Sequence, residues 1–577
     1  MALSTTDDLG CLEKEWGWRV MASEELTPVA ALIRSLGEEL ETGRLITRKA
    51  FLQRAAGLGI ALPLASTLFA ACGSSTKTNS SAAGSATQTL VIASGADALT
   101  LDPGASYDGI SPCLWMAAYE SLLRYEGTSA KVIPQLADFE VSEDGLTYTF
   151  RIHPNIKFID GEVLDAAAVK LNIERQIGTK IGVSYALGNL KKIETPDDMT
   201  VVLSLSDSYD GFLSAFAGEI TVMMISPKAI TDHKGSDWAQ SWLRHNMVGS
   251  GPYMLESYTQ GSKAVFTKNP TYWRGWNGQH ADKVVVIYTH NVETEQLQLE
   301  QGSVDAALYL SEDGIKSLLS KPGISVTDSP SFDEYYLMLN CDKAPTANPE
   351  VRRAIAYGFD YGTYVNTVQG GLGAVQARGP IPPGLAGYNP NVQQYSYDPK
   401  KAKELLAAAG YPNGGLTLKL AYEAEFKWKG TMATLFQSNM RDLGIDVSIH
   451  QEANLNWLSD RAKADAAYPW WFYPLLNTAG DYLYSQFAST AQGTAGSNGT
   501  YYTNKTFDSL LTKAAACPVQ STRDKYYAQA QEILVRDCPA LFVMFRNQRI
   551  PLRSNVKGFV FNGMSEGTFN FYDMYKA

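Results

Sequence analysis

Histidine and cysteine are both scarce in this chain of 577 residues, with six of each. No cysteines stand in a Cys-x-x-Cys pair or at zinc-type spacing, and the histidines are scattered, so no structural metal is expected. Also missing are a Gly-x-Ser-x-Gly elbow, a Gly-Lys-Ser/Thr phosphate loop and a His-Glu-x-x-His helix. Without them the common serine-hydrolase, P-loop and zinc-protease chemistries have no carrier, and no catalytic residue or cofactor is assigned. Paired carboxylates for glycoside hydrolysis need not be close in sequence, which leaves an extracytoplasmic glycosidase as the alternative. Charge is sparse too, at 19% of residues, with 49 basic against 60 acidic side chains. A well-mixed acidic surface argues against nucleic acid and against a polybasic membrane patch.

What is abundant is aromatic, with 31 Tyr, 21 Phe and 11 Trp. Such a composition suits a large core and a cleft lined by rings that stack and hydrogen-bond. The stretch from Thr47 to Cys72 has a different character. Arg48, Lys49 and Arg54 open it, an uncharged stretch runs from Ala55 to Ala71, and small residues precede Cys72. A basic start, a short apolar middle and a small-residue end describe a secretory signal. With Gly57, Gly59 and Pro63 inside it, this stretch makes a poor permanent span, which needs about 20 apolar residues. Gly73 to Thr89 lacks any large apolar residue and reads as a flexible tether.

Leu68 to Cys72, LFAAC, resembles the lipobox of bacterial lipoproteins, with Phe69 where that motif usually has Leu. The resemblance implies a lipidated Cys72 as the mature N-terminus and a membrane anchor made of acyl chains. TRKAFLQ resembles the twin-arginine export motif with Lys49 in place of the second arginine, so either export route stays open. Residues 1–46 read as a cytoplasmic lead or a misplaced start. Met21 offers a second start, and Pro28 to Leu40 has an amphipathic pattern. Beyond Cys72 there remain 42 basic and 51 acidic residues and enough chain for two or three domains. Four cysteines remain there, Cys113, Cys341, Cys517 and Cys538; outside the cytoplasm these invite disulfides, and Cys517 with Cys538 is the pair expected.

Thr89 to Ser94 is a short apolar strand, followed by a loop with Asp102, Pro103 and Tyr107 and a helix around Leu114 to Leu123. Phe139 and Val141 alternate into a turn at Asp144-Gly145, and Leu146, Tyr148, Phe150 and Ile152 alternate back. Asp165 caps a helix. This segment, with VGSGPYML (248–255), NPTYW (269–273), LEQGSVDAAL (299–308), NPEVRRAIAYGFD (348–360) and YDPKKAKELLAAAGYP (397–412), resembles the solute-binding proteins of ABC importers. The likeness is to the dipeptide, oligopeptide and nickel group, family 5.

That resemblance implies an α/β, two-lobed periplasmic-binding-protein fold of type II, with the ligand cleft between the lobes. The first lobe is expected from residues 89–125, 245–330 and 541–577, an extra subdomain within it from 126–244, and the second lobe from 331–540. It implies a monomer that captures a peptide-like or sugar-conjugate solute and delivers it to an ABC permease and ATPase complex. A sensory partner for a membrane receptor would use the same cleft.

The residues between 398 and 473 carry their own argument. Asp398 is an N-cap, Pro399 stands at N1 and Gly410 closes the helix. Leu416, Leu418, Leu420 and Tyr422 alternate, a helix runs from about Trp428 to Leu443, and Ile445, Val447 and Ile449 alternate again. Strand, helix, strand at this spacing is a right-handed βαβ unit, and an aromatic strand at Trp470 to Tyr473 joins its sheet. A closing helix spans Arg523 to Asp537.

Ligands of open α/β sheets sit beyond the carboxyl ends of the strands. The candidate ligand contacts are therefore Tyr107, Trp428, Trp471, Tyr473, Asn477 and Asp481. Trp471 and Tyr473 share a face, against the opposite pair Trp470 and Phe472. Peptide-binding members of the family carry an aspartate shortly after a Trp, which pairs with the ligand's ammonium. Here Trp471-Phe472-Tyr473-Pro474 has no carboxylate, which the resemblance ties to a neutral ligand unless Asp481, Glu423 or Glu425 substitutes.

Overall fold

The strand expected at Thr89–Ser94 (β1) lies in the middle of the first of two large sheets of the computed structural model. The structure describes residues 88–106, 109–289, 291–368, 373–424, 426–452, 467–492, 497–565 and 567–577. The export signal with Cys72, the segment Pro28 to Leu40, Tyr107 and Glu425 lie outside the described residues.

After β1 comes helix α1 (Ser111–Ala118), shorter than expected and shifted forward. Pro112 occupies its first turn, and the backbone is already extended at Tyr119. β2 (Ala137–Val141) and β3 (Thr147–Ile152) form a hairpin. Asp144 accepts from the Leu146 N–H, and Gly145 takes a φ of +67°, where a side chain would be strained. α2 (Ala166–Thr179) starts on Asp165, whose carboxylate accepts the Ala168 N–H at 2.8 Å. β4 (Leu190–Asp197) and β5 (Thr200–Leu205) complete a four-stranded sheet in the order β2-β3-β5-β4.

β6 (Tyr253–Thr259), β7 (Lys263–Lys268) and β8 (Lys283–Tyr288) make an antiparallel meander, and β8 then runs parallel to β1. β9 (Ala306–Ala307) pairs on the other side of β1, and β10 (Ile324–Val326) lies at the edge of the same sheet. β11 (Ser329–Leu339) begins the second sheet, with β12 (Val375–Gln376) at its edge. Helix α3 (Pro399–Ala408) is capped by Asp398. β13 (Leu416–Glu423), α4 (Lys427–Arg441) and β14 (Ile445–Glu452) are the parallel βαβ unit, in register from Leu416 opposite Ile445. β15 (Ala467–Phe472) lies between β11, antiparallel, and β13, parallel. α5 (Ala479–Phe487) and α6 (Gln520–Asp537) precede β16 (Ala540–Gln548) and β17 (Pro551–Arg553).

The first sheet has the order β10-β17-β9-β1-β8-β7-β6, and the second β12-β16-β11-β15-β13-β14. Residues 541–548, expected in the first lobe, belong to β16 and therefore to the second sheet. Leu541 to Phe545 are buried on both faces, as a strand with neighbours on both sides requires, and Arg546 to Gln548 are half-buried. The expected Cys517–Cys538 bridge is also corrected, because all four described cysteines are free thiols. The 18 residues of α6 hold those two apart by about 27 Å of helix, against the 7 Å or less that a disulfide tolerates.

Thr327 and Asp328 alone separate β10 from β11, and Arg549 and Ile550 alone separate β16 from β17. Each short link passes from one sheet to the other, so two adjacent segments carry the chain between lobes. The Thr327 N–H donates to the Ile550 carbonyl at 3.0 Å, and the Ile550 N–H to the Thr327 hydroxyl at 3.0 Å. Arg549 ties this crossing to Glu312 at 3.0 Å. Among the described residues no helix is long and apolar enough to cross a membrane.

Candidate functional site

The βαβ unit opens a groove beyond the carboxyl ends of β13 and β14, as its topology dictates. The groove measures about 460 Å³ and is lined by Tyr422, Ala424, Phe426, Lys427, Gly430, Thr431, Thr434 and Gln451. Beneath it lies an aromatic cluster built around one cation. Lys429 is fully buried, and its Nζ stands 5.0 Å from the Phe426 ring, 5.4 Å from Trp428, 5.0 Å from Tyr468, 4.8 Å from Trp470 and 5.7 Å from Trp471. Glu423 accepts from the same ammonium at 2.5 Å. Ring faces are electron-rich, so the rings and the carboxylate together replace the water that Lys429 gave up.

Trp428 and Trp471 are thus brought together, each half-buried and each facing Lys429. Trp428 also meets Tyr335 edge-on at 4.7 Å, and Trp471 meets Phe426 at 5.8 Å. Tyr473, Asn477 and Asp481 lie elsewhere, where the second lobe meets the β2–β5 subdomain. The Tyr473 hydroxyl donates to Glu219, which also accepts the Gly567 N–H at 3.1 Å. Asn477 donates to the Ala130 carbonyl at 2.6 Å, and its own N–H donates to the Ser214 hydroxyl at 3.1 Å. Asp481, in the first turn of α5, accepts the N–H groups of Leu475 and Leu476 at 2.8 and 3.1 Å. Burial pushes its carboxyl up to about 6 despite those two bonds.

The same seam holds Asp210, which the sequence did not single out. It accepts from Thr478 and, at 2.9 Å, from Tyr527, with Arg523 at 3.7 Å, and burial raises its carboxyl. Lys429 was missed too, although its periodicity was available. Lys429, Met432, Ala433, Phe436 and Met440 are the buried stripe of α4, and a lysine opening such a stripe needs an internal partner. No group of His, Cys, Asp and Glu among the described residues could hold a metal ion.

Two lobes joined by a pair of crossing segments, with a groove at the strand ends, define a type II periplasmic binding protein. Residues 131–494 match the bacterial extracellular solute-binding proteins, family 5 middle region, and the chain belongs to that family. It is 33% identical over 491 residues to the "Probable D,D-dipeptide-binding periplasmic protein" of Escherichia coli (strain K12), covering 83% of this chain and 93% of that protein. It is 27% identical over 498 residues to a glutathione-binding protein of Pectobacterium atrosepticum, covering 82% and 91%. A periplasmic binding protein of Helicobacter pylori, associated with an ABC transporter and solved with the peptide STSA, superposes with a TM-score of 0.71. That match has 27% identity and covers 85% of this chain and 98% of the other. The protein is the substrate-binding component of an ABC import system and works outside the cytoplasm.

Proposed function

We propose that this chain is a lipid-anchored receptor that captures a short peptide-like solute and hands it to a membrane permease. The observation that carries the solute class is the 33% identity, over nearly the full length, to a relative named for D,D-dipeptides. Trp428 and Trp471 form the wall of the cleft, Tyr473 and Asn477 fasten the lobes around the solute, and Asp481 shapes the turn between them. Tyr107 is proposed as a further solute contact. The half-buried rings from Trp470 to Tyr473 favour a second reading, a sugar conjugate stacked on aromatic faces.

Native mass spectrometry of gently purified protein, followed by a thermal-shift screen, tests the reading. One intact solute per monomer and a melting temperature that climbs with peptide concentration are expected. Selective stabilisation by oligosaccharides would establish the second reading, and turnover of the ligand would move the protein to the glycosidases. The anchor is tested separately. Cys72→Ser should release the protein from membranes and abolish labelling by radioactive palmitate, and a membrane-bound mutant that still takes up label would refute the anchor.

A further inference from the structure

β11 runs through the middle of the second sheet, and its Glu334 is completely buried. Both carboxyl oxygens are buried without a hydrogen-bond partner, which holds for no other carboxyl among the described residues. Every other buried or seam-facing acid around it is engaged. Asp333 is paired with Arg546 at 3.0 Å, Glu423 with Lys429, Asp481 with backbone N–H groups, Asp210 with Thr478 and Tyr527, and Glu219 with Tyr473. A carboxyl bonded to nothing gives the sheet less than a leucine would, since burial removes its hydration and returns no bond.

Its position explains the arrangement. Glu334 stands directly opposite the half-buried Phe472 in the β11–β15 register, and residues so paired share a face of the sheet. One residue beyond Phe472, Tyr473 reaches across to Glu219 in the subdomain. Two residues before Glu334, Phe332 packs against Gly563 of the C-terminal segment; a Cβ on that glycine would stand 2.9 Å from the ring. Glu334 therefore lies on the sheet between two contacts, Tyr473 with Glu219 and Phe332 with Gly563, that tie the second sheet to the rest of the molecule.

We propose that Glu334 receives the ammonium group of a cationic solute when the lobes close on it. The proposal rests on the peptide-like solute class above and names the group that recognises it. It also reverses the expectation that the missing carboxylate at 472 means a neutral ligand, because the strand next door supplies one. Burial raises the Glu334 carboxyl well above the usual carboxylate range, which favours the neutral acid in the ligand-free protein. No charged neighbour contributes to that shift. Asp333 and Arg546 on β11 and β16 neutralise each other, and on α5 Asp481 bonds to backbone while the Tyr482 hydroxyl donates to the Phe332 carbonyl. On binding, the acid gives its proton to the solvent, and the ammonium N–H groups donate to the resulting carboxylate. Affinity then rises with pH as the free-state acid becomes easier to ionise.

The experiment uses the mature protein with D-alanyl-D-alanine, an L-dipeptide and the N-acetylated form of each. The wild type is expected to prefer the free amine, and Glu334→Gln to lose about 30-fold in affinity for it while binding acetylated peptide as before. Calorimetry of the wild type in buffers of different ionisation heat should show one proton released per peptide, a readout that needs no variant. Unchanged preference in Glu334→Gln, no proton release, or wild-type binding of acetylated peptides alone would each overturn the proposal and leave peptide capture standing. Binding of neither form would overturn the peptide reading and this inference with it.

Discussion

Lys429 shows how one residue organises a cluster of rings. Its ammonium sits among five rings, with Glu423 as its counter-charge. Removing one member of a buried pair strands the other, at a cost of about 3–5 kcal/mol, whereas removing both together costs much less. Lys429→Met should therefore lower stability in urea unfolding by about 3–5 kcal/mol. The double variant Lys429→Met, Glu423→Gln should recover most of that loss. A single variant as stable as the wild type would mean that the rings hold the lysine without needing its charge.

Among the elements, α5 and the turn before it couple structure to pH. Asp481 accepts two backbone N–H groups from Leu475 and Leu476, yet burial still lifts its carboxyl to about 6. The folded chain therefore binds this proton more readily than the unfolded chain, so the ionised carboxylate costs stability above pH 6. That cost fades as the pH falls below 6 toward the ordinary carboxylate value. Asp481→Asn keeps an acceptor oxygen without the charge. It should gain about 2 kcal/mol over the wild type at pH 8, allowing for partial exposure, and nothing at pH 4. A gain equal at both values would place the effect in packing instead.

The elements also differ in how plainly the sequence announced them. Asp398, Pro399 and Gly410 mark α3 on both sides, and the alternation from Leu416 and from Ile445 marks β13 and β14, because each of these strands exposes one face. β11 carries no such mark. It is buried on both faces, so SPSFDEYYLML shows no period of two, and its adjacent Asp333 and Glu334 read like a solvated turn. The groove at the ends of β13 and β14 followed from topology. Glu334 and Asp210 did not, because each acquires its meaning from strands and helices distant in the sequence.

At the scale of the whole molecule, two sets of contacts oppose each other. The crossing at Thr327–Asp328 and Arg549–Ile550 joins the lobes covalently at one place. Tyr473 to Glu219, and Thr478 and Tyr527 to Asp210, join the subdomain to the second lobe at another. The first set survives any rotation of the lobes; the second must break when they part. Hydroxyl contacts of this kind are worth about 1 kcal/mol each, so losing two shifts the balance between open and closed forms by about 30-fold. A ligand that binds the closed form loses apparent affinity in proportion to the closed population it has lost. Tyr473→Phe with Thr478→Val should therefore enlarge the radius of gyration of the ligand-free protein in small-angle scattering and raise Kd by up to that factor. Saturating ligand should restore the compact form, since the groove and the Lys429 cluster are untouched. An unaltered radius together with unaltered affinity would mean that these bonds decorate the seam without holding it, leaving lobe closure to the apolar contact of Phe332 with the C-terminal segment.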